Sequence, residues 1–270
     1  PRFATRTFKD WFAGRPVRNP EGRRVLLWPD TFVNHFHPQV GKATVEVLEA
    51  AGCRVVVPEA SLCCGRPLYD YGMLDLAERQ LTRILKALRP EIRAGTPLIG
   101  MEPSCLAVFR DELPSLFPRD ADARRLSEQS FVLSEFLETQ LQGWQPPKLG
   151  RKALVQVHCH HHAVMKFDAE KKVLDKLGLD YEQLQSGCCG MAGSFGFEAG
   201  DKYDVSVKAG ERVLFPKVRD ASPGTLILAD GFSCRTQIEQ GTGRTALHLA
   251  EVIRMALRGS GELGLEKPEL

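Results

Sequence analysis

The chain alternates between short apolar runs and longer amphipathic segments. Four runs contain mostly branched or aliphatic side chains: RVLLW (residues 24–28), PLIGM (97–101), ALVQV (153–157) and TLILAD (225–230). Runs of this length, without regular polar positions, are typical of strands that are covered on both faces of a parallel sheet. We therefore predict a buried strand at each of them.

Helical spacing appears between these runs. GKATVEVLEAAGCRVVVP (41–58) predicts a helix, a glycine stop and a strand, and EKKVLDKLGLDYEQL (170–184) repeats the pattern with a weaker strand. LDLAERQLTRILKALRPEI (74–92) carries leucines at helical spacing. Alternation of strand and helix predicts open α/β sheets, whose ligands bind beyond the carboxyl ends of the strands.

An internal repeat organises the chain. LCCGRPL begins at Leu62 and GCCGMAG at Gly187, and their cysteine pairs are 125 positions apart. GTPLIGMEPSC (95–105) aligns with GTLILADGFSC (224–234) at an offset of 129, and GRRVLLWPDTF aligns with GRKALVQVHCH at an offset of 128. Three blocks in one order at nearly one offset indicate a duplication.

The fold class predicted from the repeat is α/β. We expect two similar lobes related by a pseudo-two-fold axis, each an open, mostly parallel sheet with flanking helices. The predicted organisation is an N-terminal extension from a preceding domain (1–21), a first lobe (22–142), a linker rich in Pro and Gly (143–149), a second lobe (150–262) and a C-terminal tail (263–270).

The charge composition bears on whether the chain binds nucleic acid or membranes. Charged residues make up 26% of the chain and the formal net charge is +2, which gives no argument for a nucleic-acid partner or an anionic membrane surface. No apolar stretch of about 18 residues predicts a membrane span. The N-terminus begins with Pro1 and has no apolar core like that of a signal peptide.

Cysteine carries the candidate chemistry. Without a secretory signal, eight cysteines in a chain of this size favour metal binding or catalysis over disulfides. In the second half, four of them are predicted at strand-to-helix turns: Cys159, Cys188, Cys189 and Cys234. Thiolates that converge from separate loops suit an iron–sulfur cluster or Zn²⁺. Two adjacent ligands would be cramped around one tetrahedral zinc ion, so the cluster is favoured.

The first half offers a possible second metal site with three thiols, Cys63, Cys64 and Cys105, because Thr31 stands where the second half has Cys159. Two interpretations remain open. Either another side chain completes a metal site, and His35 and His37 are near enough in sequence to do so, or the three thiols are a degenerate remnant that binds no metal. Cys53 lies outside the repeated blocks, and we expect it to pack at a helix–strand turn.

Histidine and arginine residues surround the main set. His158 and His160 flank Cys159, and we assign them a tentative role beside the metal, whereas His161 and His162 are expected at the surface. Arg235 follows Cys234 and either compensates thiolate charge, holds a substrate carboxylate or is an ordinary surface residue.

The two CCG motifs, each followed about 40 residues later by Ser-Cys, resemble the duplicated cysteine-rich CCG domain. That domain occurs in the cysteine-rich component of heterodisulfide reductase and in iron–sulfur components of glycolate oxidase, lactate-utilisation and anaerobic glycerol-3-phosphate dehydrogenase systems. DGFSCRTQI and CCGMAGSFGFE look closest to the C-terminal region of fusion dehydrogenases. Those proteins join this region to an FAD-linked oxidase domain and a ferredoxin-like domain, and oxidise 2-hydroxy acids such as D-lactate or D-2-hydroxyglutarate.

The resemblance implies a [4Fe-4S] cluster, but the chain departs from the family pattern. Heterodisulfide reductase-like members have an upstream Cys, then CCG, then CxxC in each repeat. Here Glu102 and Gly231 replace the first Cys of each CxxC, and Thr31 replaces the first upstream Cys. A five-cysteine cluster is therefore in doubt in both lobes, and heterodisulfide chemistry with it.

The resemblance implies an Fe-S oxidoreductase region that is inactive on substrate by itself. Electrons would pass from FAD in a partner or preceding domain to an acceptor, for which quinone is one candidate, in a cytoplasmic protein at the periphery of the inner membrane. The alternative is a structural or docking module of the same enzyme, with zinc or with empty cysteine sites.

Overall fold

The strands form two separate parallel sheets. The structure is a computed structural model that describes residues 1–259, so the predicted tail 263–270 and the last residues of the predicted second lobe lie outside the described residues. The chain divides into two units, with the boundary between Trp144 and Gln145, inside the predicted linker. This confirms an α/β fold built from two similar units.

The first unit contains a four-stranded sheet in the order β2-β1-β3-β4, with every neighbouring pair parallel. Its strands are β1 (Arg23–Trp28), β2 (Cys53–Val56), β3 (Leu98–Gly100) and β4 (Ser130–Val132). The last four residues of β1 are buried, as expected for a central strand with helices on both faces.

Nine α-helices surround this sheet in the described part of the first unit. They are α1 (Phe8–Ala13), α2 (Thr31–His35), α3 (Pro38–Ala50), α4 (Arg66–Asp70), α5 (Leu74–Arg93), α6 (Pro103–Ala107), α7 (Leu113–Leu116), α8 (Ala121–Glu128) and α9 (Leu133–Thr139). The apolar stripe of α5 buries Leu81, Leu85 and Leu88, whereas Leu76 at its start is 43% exposed.

Residues 1–21 belong to the first unit. Phe8 on α1 is fully buried against α3, where Gly41 leaves room for its ring. A Cβ atom at Gly41 would lie 2.5 Å from Phe8 Cδ2, so only glycine permits this approach. The segment that we predicted as an extension therefore contributes to the core of the unit.

The second unit repeats the arrangement with a three-stranded parallel sheet in the order β6-β5-β7. Its strands are β5 (Lys152–Val155), β6 (Asp180–Gln183) and β7 (Leu226–Leu228). A parallel bridge between Leu228 and Leu247 lies where β4 lies in the first sheet. The strand order is thus the same in both units.

The helices of the second unit follow its strands. They are α10 (Asp168–Lys176), α11 (Asp201–Glu211), α12 (Leu214–Asp220), α13 (Phe232–Thr242) and α14 (Leu249–Arg258), together with one π-helical turn at His161–Met165 and one 3₁₀ turn at Phe195–Phe197. Through residue 259, no helix is both long and apolar enough to cross a bilayer.

Candidate metal centre

Three loops of the second unit bring the predicted ligands to the carboxyl edge of its sheet. Cys159 begins the helical segment after β5, the pair Cys188–Cys189 follows β6, and Cys234 is the third residue of α13, after β7. Strands β5 and β7 are adjacent and their connections lead away in opposite directions. Such a switch point is where open α/β sheets bind their ligands.

The CCG turn is shaped by a glycine that no other residue can replace without strain. Gly190 has φ +99°, and a Cβ atom there would lie 2.2 Å from the carbonyl oxygen of Ser206 on α11. Its N–H donates to Cys188 Sγ at 3.3 Å. The glycine therefore lets the loop pass directly over α11 and also orients one sulfur of the pair.

Three of the four thiols are in contact within the second unit. The Cys189 side chain lies next to those of Cys188 and Cys234. Contact with Cys189 and burial raise the pKa of Cys188 well above its usual range. Contact with Cys188 lowers the pKa of Cys189, but contact with Cys234 and burial raise it more. Cys188 and Cys189 therefore hold their protons at neutral pH until a metal displaces them.

Cys159 is associated with histidines. Its side chain is exposed, and its Sγ lies 4.0 Å from His160 Nδ1. His158 is buried, accepts the backbone N–H of His160 at Nδ1 (3.2 Å) and stacks on the His160 ring. One ligand atom from each of the three residues lies within 4.8 Å of the others. This arrangement places a thiol and two imidazoles at the end of β5.

Gly231, at the position of a family cysteine, is required by His158. A Cβ atom at Gly231 would lie 2.1 Å from His158 Cδ2, far closer than van der Waals contact allows. A cysteine at this position would therefore collide with the imidazole ring.

The first unit has the same series of neighbouring side chains, except that Thr31 stands where the second unit has Cys159. The Cys63 side chain lies next to those of Thr31 and Cys64, and the Sγ atoms of Cys64 and Cys105 are 2.9 Å apart. Contact with Cys105 and burial raise the pKa of Cys64. Contact with Cys64 lowers the pKa of Cys105, but burial and the charges of Asp30 and Glu102 raise it to about 11. Three thiols and one hydroxyl thus occupy this edge.

Glu102 has a structural role that the sequence did not reveal. Its side chain is buried and caps α6, where Oε1 accepts the N–H of Ser104 at 3.2 Å and its hydroxyl at 2.8 Å. A carboxylate at the start of a helix satisfies backbone donors that otherwise have no partner. The residue that replaces a family cysteine therefore positions Cys105, three residues later.

The two histidines proposed to complete the first site make other contacts. His35 Nε2 lies 3.0 Å from Asn34 Nδ2, and His37 Nδ1 lies 3.1 Å from Gln39 Nε2. Among residues 1–259, the groups of three metal-binding atoms within 4.8 Å of one another include neither histidine.

Burial decides four of the expectations. His161 is 1% exposed, so its expected surface position is wrong, and Arg235 is 5% exposed, which excludes the surface alternative for that residue. The Arg235 guanidinium donates to the backbone carbonyls of Ala229 and Asp230, which come from the same loop. His162 is exposed and Cys53 is fully buried, as expected.

The donor set fits a soft metal group. The thiols are partly buried, lie at a ligand-binding edge and come from three separate loops, which is how proteins hold iron–sulfur clusters and structural zinc. In the second unit the contacts run from Cys188 through Cys189 to Cys234, with Cys159 on the neighbouring loop.

Comparison with known proteins agrees with the repeat. A family model described as a cysteine-rich domain, CCG, matches residues 30–110 and 154–238. The chain is 28% identical over 263 residues to one of the subunits of the anaerobic glycerol-3-phosphate dehydrogenase of Escherichia coli K12, a match that covers 95% of this chain and 65% of that protein. It is 31% identical over 245 residues to lactate utilization protein A of Bacillus subtilis 168, a match that covers 85% of this chain and 98% of that protein.

The chain therefore spans just under two thirds of the first relative and nearly all of the second. The two matched segments contain the three candidate ligand thiols of the first unit and all four thiols of the second. The chain belongs to the CCG cysteine-rich domain family and carries two copies of the domain.

Proposed function

We propose that this chain is the iron–sulfur electron-transfer region of a flavin-dependent 2-hydroxy-acid dehydrogenase. The observation that carries the proposal is the contact chain Cys188–Cys189–Cys234 at the switch point of the second sheet, with Cys159 on the adjoining loop. When bound, a [4Fe-4S] cluster supplies one-electron transfer. The names of the relatives support an oxidoreductase component, since one is part of a dehydrogenase and another is a lactate utilization protein.

The residues of the chain have separate tasks in this proposal. Cys188, Cys189, Cys234 and Cys159 hold the cluster. Gly190 lets the CCG loop lie against α11, and its N–H donates to a sulfur, which stabilises the thiolate. Arg235 places a buried positive charge next to Cys234, which offsets part of the negative charge of a thiolate-bound cluster.

A substrate experiment tests the proposal. The full-length natural protein is kept anaerobic and mixed in turn with D-lactate, D-2-hydroxyglutarate and glycerol 3-phosphate while the visible absorption of the cluster is recorded. We expect a 2-hydroxy acid to bleach the cluster through the flavin, and glycerol 3-phosphate to leave it unchanged. Reduction by glycerol 3-phosphate alone would contradict the assignment of the substrate class.

A second candidate is a structural or docking module, and the first unit supports it. Thr31 places a hydroxyl in hydrogen-bonding contact with Cys63, where the second unit has a thiol on the corresponding loop. Three thiols suffice for a zinc site with one further ligand, but not for a four-thiolate cluster. Zinc in the first unit and a cluster in the second would be detected together by metal analysis of one sample.

A further inference from the structure

A second group of ionisable side chains lies in the second unit, apart from the cysteine contacts. His161, Glu170, Asp230 and His248 are 1%, 3%, 8% and 2% exposed, respectively. They come from four places in the chain: the π-helical turn after β5, helix α10, the loop after β7 and the start of α14. Burial of two carboxylates is costly unless a cation or hydrogen bonds compensate their charge.

Three of these side chains surround a space of the size of one metal ion. His161 Nδ1 lies 3.6 Å from Glu170 Oε2 and 4.0 Å from Asp230 Oδ2, and all three atoms lie within 4.8 Å of one another. Around a tetrahedral ion with bonds of about 2.0–2.2 Å, ligand atoms are roughly 3.3–3.6 Å apart. The two distances from His161 Nδ1 are within about 0.7 Å of this spacing.

Asp230 is held so that one oxygen faces this space. Its Oδ1 accepts the backbone N–H of Leu249 at 2.9 Å and lies 3.6 Å from His248 Nε2. His248 Nδ1 already accepts the N–H of Ala250 at 3.0 Å, so the neutral ring carries its proton on Nε2 and directs it to Oδ1. His248 therefore positions Asp230, and Oδ2 remains toward His161.

The Glu170 carboxyl is a second observation that points to a cation. Its Oε2 is buried and, among the described residues, makes no hydrogen bond of good geometry, although the carboxyl interacts directly with that of Asp230. Burial and the neighbouring Asp230 raise the pKa of Glu170 well above its usual range. A divalent cation between the two carboxylates would satisfy the buried oxygen and allow both groups to be charged.

We propose that His161, Glu170 and Asp230 form a mononuclear site for a divalent transition-metal ion, with Zn²⁺ as the expected occupant, separate from the cysteine site. Two carboxylates with one imidazole favour a borderline ion such as Zn²⁺ over Mg²⁺ or Ca²⁺, which prefer oxygen ligands alone. Three protein ligands leave a fourth position for water or another small ligand. The Phe167 ring packs edge-on against His161 and fixes the orientation of the imidazole.

Cobalt substitution distinguishes this site from the thiols. The metal-free chain is titrated anaerobically with Co²⁺, because thiolate ligands give an intense charge-transfer band that nitrogen and oxygen ligands lack. We expect Glu170→Gln to bind one equivalent of cobalt less than the parent and to keep the thiolate band. We expect Cys189→Ala to show a weaker thiolate band and to keep the equivalent of cobalt bound at Glu170. Glu182→Gln, at an exposed strand residue, is the matched control and should bind as the parent does.

The proposal is overturned if Glu170→Gln binds as much cobalt as the parent chain. Because a substitution in the core can prevent folding, the Cys189→Ala chain provides a measurement that leaves the three ligands intact. Besides any cobalt held by its remaining thiols, this chain should bind one Co²⁺ that adds only weak visible bands, and adding Glu170→Gln to it should remove that equivalent. If no thiol-free equivalent is bound in this chain, the site does not exist.

Discussion

At the residue scale, the cysteine set is recognisable from the sequence because thiols are few and the repeat shows which of them correspond. Thr31 could also be identified as the substituted position, but its contact with Cys63 depends on the fold. The burial of His161 could not be foreseen, because Glu170 and Asp230 approach it from distant parts of the chain. Periodicity shows which face of an element is apolar, and gives no information on polar groups that meet across elements.

Substitution of Thr31 tests whether the first unit lacks only one thiol. In a Cys189→Ala background, Thr31→Cys should bind severalfold more iron after anaerobic reconstitution, because the new sulfur lies beside Cys63. Iron and labile sulfide are measured per chain. The control is Thr82→Cys, which adds a thiol at an exposed position of α5. Equal iron in both variants would show that the first unit cannot hold a cluster.

Raised thiol pKa values predict how stability depends on pH. Burial raises the pKa of Cys53 from 9.0 to about 11. Contact with Cys64 lowers the pKa of Cys105, but burial and nearby carboxylates raise it more, so that it also reaches about 11. A thiol that holds its proton more tightly in the folded chain stabilises that state below the unfolded pKa, and the contribution is lost as pH rises through the folded pKa. The free energy of unfolding of the metal-free chain should therefore fall between about pH 9 and pH 11.

Urea unfolding at three pH values, with chelator and reductant present, checks this expectation. Cys53→Ala removes one titrating thiol that lies outside the metal sites, so its free energy of unfolding should decrease less steeply with pH than that of the parent. A parent chain whose stability is constant or rises over this interval would contradict the assignment of buried, protonated thiols.

At the element scale, the apolar runs predicted β1, β3, β5 and β7, whose buried residues are consecutive. The sequence did not predict β4 or the bridge at Leu247, because three residues or one pair are too short to show periodicity. The loops after the strands contain the candidate metal ligands, and their conformations depend on single contacts such as that between Gly190 and Ser206. Such contacts are decided by tertiary packing.

The CCG turn allows a matched pair of glycine substitutions. Gly187 and Gly190 both have positive φ, but a Cβ atom at Gly187 meets open space whereas one at Gly190 lies 2.2 Å from Ser206 O. Both alanine variants incur backbone strain of about 1–3 kcal/mol, and overpacking costs a further ~1–3 kcal/mol at Gly190 only. Chemical unfolding should rank Gly190→Ala as the less stable variant, and equal stabilities would exclude the close approach.

At the scale of the whole molecule, duplication of the domain has produced two units with the same strand order and different chemistry. The second unit keeps four thiols, whereas the first keeps three and a hydroxyl. The fold class followed from the repeat. Whether each unit binds a metal could not be derived from the repeat, because it depends on which side chain occupies each corresponding position.

The central claim is that the second unit holds an iron–sulfur cluster through its cysteines. The most direct test is iron and sulfide analysis with EPR of the reduced, anaerobically purified chain, beside Cys189→Ala and the control Cys53→Ala. We predict equal amounts of iron and labile sulfide and an EPR signal in the parent and in Cys53→Ala, and their loss or strong reduction in Cys189→Ala. Stoichiometric zinc without labile sulfide, or an unchanged signal in Cys189→Ala, would contradict the account.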